Sequence, residues 1–142
     1  MPAATRGLPP GSSATIFLLW CLVAGIAFYW YAVLTGQGVE ATTSYLDFSR
    51  AFPPADTLLA ASAALCAEHL RRRRATAVLW ALVTAGALGF VGVVDVTYNL
   101  QHDIYARWSA ALAWEVYVNA FSLVFPLWLA RFAWTGRREL GE

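Results

Sequence analysis

The chain has 142 residues, enough for one domain, of which 59% are hydrophobic and 13% charged, with a formal net charge of +1. That charged share is well below the roughly 25% of soluble domains, and the near-zero balance removes the electrostatic case for nucleic acid as a partner. Lysine is absent and all ten basic residues are arginine, while Cys21 and Cys66 each lie inside an apolar run with neither disulfide-framework nor metal-site spacing.

The first stretch, MPAATRGLPPGSS over residues 1–13, is rich in Pro, Gly and Ser and is expected to be disordered. Four apolar segments follow, each long enough for a bilayer crossing of about 20 residues. They run Ala14–Leu34, Pro53–Leu70, Ala75–Leu100 and Ser109–Trp134; the second is the least apolar. The first is too long and aromatic for a secretory signal, and no small-residue cleavage site follows it. The expected fold is therefore all-α: an integral membrane bundle of four transmembrane helices over 14–134, with a short tail at 135–142.

Arginine sets the expected orientation. Arg6, Arg71–Arg74, Arg131, Arg137 and Arg138 fall on one side of the segments, and only Arg50 and Arg107 on the other. The positive-inside rule then places both termini and the Arg71–Arg74 loop in the cytoplasm. Four arginines also suit an anionic lipid surface, although a topology signal accounts for them more simply.

With that orientation, polar groups from three segments fall at similar depth in the outer half. Asp95 stands late in the third segment, one helical turn after Gly92 and one before Asn99. Glu115, Asn119 and Ser122 follow the spacing of one helix face. Asp56 opens the second segment behind Pro53 and Pro54, where the helix dipole alone would favour a carboxylate. Gly86, Gly89 and Gly92 give the third helix a small face suited to close packing. An ionisable side chain inside a membrane helix is costly and marks a functional site by default.

The expected site is a pocket holding Asp95 and Glu115 as acid and base, with Asn119 orienting a ligand. Asn99 and Tyr98 stand at its rim, Asp56 serves as a third carboxylate, and Phe90 and Leu123 close its bottom. Tyr29, Trp30, Tyr31, Tyr98, Tyr105, Trp108 and Trp114 gather toward the same edge. They read first as an interfacial aromatic belt and second as an aromatic mouth. Glu68 lies at helical spacing from Arg71 and Arg72, which predicts a surface ion pair. His102 and Asp103 stand in a short loop with too few ligands for a metal. No metal or cofactor is expected, and no catalytic signature such as G-x-S-x-G, H-E-x-x-H or C-x-x-C occurs.

The stretches FPPAD at Phe52–Asp56 and NAFSLVFPLWL at Asn119–Leu129 resemble small uncharacterised bacterial membrane proteins with four helices. In those, F-P-x-x-D opens a helix and N-x-F-x-x-x-x-P lies in the last one. The resemblance covers the last three helices, and it implies the fold and no activity.

Three functions are open on the sequence. The first is binding or conversion of a lipophilic small molecule in the outer-half pocket, by isomerase, cyclase or epoxide-opening chemistry if there is turnover. The second is an accessory subunit of a membrane complex. The third is an oligomeric proton-coupled transporter, disfavoured because the inner halves lack polar groups. The bilayer, a lipophilic ligand and a second copy or membrane protein are the expected partners.

Overall fold

A computed structural model describes residues 8–35, 51–106 and 110–140, the side chains of 110 and 111 excepted. Among the described residues there are four α-helices, one 3-10 turn and no strand: α1 Ser12–Leu34, α2 Pro53–Arg71, α3 Ala77–Gln101, the turn Ile104–Ala106, and α4 Ala110–Leu140. Residues 1–7, 36–50, 107–109 and 141–142 lie outside them, and so do Arg6, Arg50, Arg107 and Trp108.

Each helix boundary has a local cause. Gly11, at φ 87°, turns the chain into α1, and the Ser12 hydroxyl donates to the Pro9 carbonyl at 2.7 Å. The helix thus begins inside the stretch expected to be disordered, with Pro9 already buried. Pro53 and Pro54 start α2, whose missing amide hydrogens are ones a first turn leaves unpaired anyway. That helix ends at Arg71, and two residues on Arg73 takes the left-handed conformation at φ 53°. The Arg73 and Arg74 amides then donate back to the carbonyls of Leu70 and His69, the double closure usually built on glycine. Glu68 pairs with Arg71 at 2.7 Å and with Arg72, forming the surface ion pair that the spacing predicts. α4 continues to Leu140, past the expected end at Trp134, because Arg137 lies over the Trp134 ring at 4.2 Å and Leu140 is buried.

The helices pack in chain order: α1 along α2, α2 along α3, and α3 along α4. α2 is the inner member. Its small residues Ala63, Cys66 and Ala67 are fully buried, and the Thr84 hydroxyl of α3 donates to the Ser62 oxygen at 3.1 Å. α3 and α4 run antiparallel in a register fixed by close approach. A Cβ on Gly92 would lie 2.8 Å from the Ser122 Cβ and 2.9 Å from its carbonyl oxygen, and one on Gly89 would lie 3.6 Å from the Pro126 ring. Gly86 meets nothing within 4 Å, so the small face that contacts a neighbour is Gly89 and Gly92 only. Pro126 has no amide hydrogen for the Ser122 carbonyl one turn earlier, and that carbonyl faces the seam with Gly92.

One contiguous core, including Leu19, Leu70, Ala77, Leu129, Ala133 and Leu140, fills the end of the bundle that carries Arg71–Arg74, the first turn of α1 and the last turn of α4. Large apolar side chains cover the outside; Phe17 is 67% exposed, Phe90 70% and Leu127 74%. Three segments, α1, α3 and Leu112–Leu140, are long and apolar enough to cross a membrane. α2, expected as a fourth crossing, is not among them. Its composition is diluted by Asp56, Thr57, Ser62, Glu68 and His69.

Candidate functional site

α1 and α4 do not pack along their length. They approach at the arginine-rich end, where Pro9 sits so close to Gly136 that a Cβ there would lie 2.8 Å from the proline ring. Toward the other end they part and leave a cleft of about 540 Å³. One wall is α1, with Phe17, Cys21, Leu22, Gly25 and Tyr29; the opposite wall is α4, with Trp114, Glu115, Val118 and Phe121. α2 and α3 form the back with Asp56, Leu59, Leu88, Val91, Asp95 and Asn99.

Three carboxylates therefore border one cleft, each from a different helix. Asp56 accepts a hydrogen bond from the Trp30 indole at 2.9 Å. Glu115 Oε1 accepts from the Asn99 side-chain amide at 2.8 Å and, more weakly, from that of Asn119 at 3.5 Å. Asp95 lies within electrostatic reach of both and makes no hydrogen bond to a described residue. The register explains the grouping. Asn99 and Gly92 lie on the α3 face toward α4, and their partners there are Glu115 and Ser122.

A second polar cluster stands behind the first. Asp103, at φ 53°, ends α3 in the left-handed region that Asp tolerates. The 3-10 turn that follows carries Tyr105 back to the α3–α4 seam. There its hydroxyl accepts from Asn119 at 2.7 Å and from Asn99 at 3.3 Å. Asn119 is 4% exposed, and its Oδ1 is buried with no hydrogen-bond partner.

The structure thus brings Asp95, Glu115, Asp56 and Asn99 to one cleft and puts two other expected residues elsewhere. Asn119 faces Tyr105 behind the cleft instead of lining it. Tyr98 is not at the rim: it is buried and stacked on His102 with ring centroids 3.9 Å apart. Phe90 and Leu123 do not close the bottom either, being 70% and 36% exposed; Leu88, Phe121 and Ser122 line that region. Tyr105 and Trp30, counted in the sequence as belt aromatics, are hydrogen-bond partners of the polar residues. An aromatic with a polar tip near a cluster of Asn and Glu is the one signal that points to them.

Comparisons with protein-family models, with curated proteins and with solved structures match nothing to this chain. Any functional assignment therefore comes from the site itself.

Proposed function

We propose that the protein is a multi-pass protein of the cell membrane that binds or converts a lipophilic small molecule in the cleft between α1 and α4. The observation that supports this most is the pairing of apolar walls with three carboxylates on one volume of about 540 Å³, within the range of small-molecule sites. A lipophile dissolved in the bilayer reaches such a cleft sideways, between the parted helices. Its tail lies along Phe17, Leu22 and Val118, and its polar group meets Asp95 and Glu115. These two carboxylates differ in surroundings, one held by Asn99 and one without a hydrogen bond. Such a difference allows acid and base roles to be divided between two similar groups. Asp95→Asn and Glu115→Gln then abolish turnover, or weaken binding where there is none, while the protein still inserts.

In this proposal α2 is the fourth crossing. Its 19 residues span roughly 28 Å at 1.5 Å per residue, about the hydrocarbon thickness of a bilayer. Of its polar residues, Asp56 and Ser62 are buried, while Thr57, Glu68 and His69 lie in its first and last turns. Both termini and Arg71–Arg74 lie in the cytoplasm by the positive-inside rule, and the cleft opens toward the outer leaflet.

Cys21 supplies a native reporter, since it lines the cleft while Cys66 is fully buried. Protein purified from the membrane in mild detergent carries a lipophile detectable by native mass spectrometry, and that species slows alkylation of Cys21 by N-ethylmaleimide. A protein that carries none, and whose Cys21 reacts at one rate across a panel of lipophiles, sinks the proposal.

A further inference from the structure

We infer that the ligand of this cleft is a lipophilic cation bearing N–H donors, that is, a protonated amine on an apolar body. The inference rests on the lipophilic-ligand function proposed above and narrows it to one chemical class.

The first support is charge. The carboxyl groups lining the cleft are Asp56, Asp95 and Glu115, and among the described residues no arginine or histidine lines it. All ten cations of the chain are arginines, and those on described residues lie toward the opposite end. Among the described residues these acidic groups have no counterion, and a positively charged guest supplies one.

The second support is a count of donors and acceptors, which is independent of charge. The nitrogen donors of the site are already engaged. Both side-chain amides, of Asn99 and Asn119, point at Glu115 Oε1 and the Tyr105 hydroxyl, and the Trp30 indole serves Asp56. Beside hydroxyl groups, which donate and accept alike, what remains is acceptors. Asp95 has no hydrogen-bond partner among the described residues, and Asn119 Oδ1 is buried without one. Asn119 belongs to this cluster, since its amide nitrogen lies 3.5 Å from Glu115 Oε1. It also sits in the α3–α4 register between the Gly92–Ser122 and Asn99–Glu115 pairs, opposite Asp95. An acceptor at the cleft wall without a donor is costly, and of the two it is Asp95 that lines the cleft, where a guest can supply the donor. A neutral acceptor such as a ketone, or an anion such as a fatty acid, would add to the surplus.

The third support is the cleft's aromatic edge. Tyr29, Trp114, Tyr117 and Phe121 line it, with Trp114 and Tyr117 ring centroids 5.5 Å apart. Ring faces near an acidic site attract ammonium groups. A metal ion fits less well, because among the described residues no three His, Cys, Asp or Glu side chains are placed to share one.

The test uses three probes with the same tail and different heads: dodecylammonium, dodecanol and dodecanoate, each added to the full chain in neutral detergent. Protection of Cys21 from N-ethylmaleimide is the readout. Dodecylammonium is expected to protect at a concentration at least tenfold below dodecanol, with dodecanoate weaker than both. Asp95→Asn and Glu115→Gln each reduce the preference for the cation by tenfold or more, whereas Glu139→Gln, a carboxylate near the far end of α4, leaves it unchanged. Gly25→Trp fills the cleft and removes protection by every probe, which separates binding in the cleft from binding to the micelle. If dodecanol protects as well as dodecylammonium, or if both acidic variants keep the full preference while folded by size exclusion, the cation assignment is overturned and the lipophile site stands. If no probe protects, both fall.

Discussion

Asn99 and Asn119 look equivalent in the sequence and are not equivalent in the fold. Asn99 is 1% exposed and donates to both Glu115 and Tyr105. Replacing it with leucine removes the main donor of a carboxylate at the cleft, and the expected loss is about 1–3 kcal/mol of stability. Asn119→Leu also loses a bond to Tyr105, but it removes an acceptor that has no partner. Its cost is therefore expected to be the smaller of the two in the ligand-free protein. Thermal unfolding in detergent ranks them, and an Asn119 variant less stable than the Asn99 variant would contradict this accounting. At this scale the sequence was readable in part. Helical spacing is enough to put Asp95 with Asn99 and Glu115 with Ser122. It is not enough to separate Tyr98 from Asn99, where a rotation of about 100° between neighbours sends one ring to His102 and the other side chain to Glu115. Nor does it show that the 3-10 turn returns Tyr105 to the seam, because a three-residue turn leaves no periodic signal.

Among the helices, the α3–α4 seam is the tightest contact and the most sensitive to added volume. Gly92→Ala would place a methyl 2.8 Å from the Ser122 side chain, which forces the helices apart at an expected cost of about 1–3 kcal/mol. Gly86→Ala has open space around it and is expected to be neutral or to stabilise by up to about 1 kcal/mol through helix propensity. Chemical or thermal denaturation of the pair distinguishes a seam from a lipid-facing stripe; equal effects would mean that the seam is absent. At the α2–α3 turn, Arg73 holds a left-handed backbone that glycine adopts freely. Arg73→Gly is expected to raise stability by about 1 kcal/mol, measured in the same way. The helices themselves were legible from hydropathy, and three of the four carry enough of it for a crossing. α2 was the ambiguous one, since Asp56, Thr57, Ser62, Glu68 and His69 dilute its hydropathy while Leu58 and Leu65 still face outward. The extension of α4 to Leu140 was hidden because its last turn, with Arg137, Arg138 and Glu139, reads as a polar tail.

For the whole molecule, the arginine pattern and the packing make one joint prediction. Reporter fusions at Glu142 and within residues 36–44 should report opposite sides of the membrane, with the C-terminus cytoplasmic. A cytoplasmic signal from both would mean that α1 and α2 do not form a pair of crossings, and the cleft would then face another solvent. Depth was available from sequence because it follows from distance along each helix. The cleft was not, because its volume depends on how far α1 leans from α4, and no pattern of residues encodes the angle between helices distant in the chain.

The meeting of Pro9 with Gly136 has a mechanical consequence. α1 is roughly 35 Å long at 1.5 Å per residue and rests along α2, so it behaves as a lever with its fulcrum on α2. One arm ends at that contact and the other at the doorway of the cleft. Gly136→Ala must push the short arm away from α4 by a few tenths of an ångström, because the proline ring cannot fold aside. The long arm then swings inward and narrows the doorway. Slower alkylation of Cys21 in this variant, with every carboxylate intact, is the expected sign; an unchanged rate would show α1 bending instead of rocking. Such slowing would mean that a methyl group added at one end of the molecule sets the width of the entrance at the other.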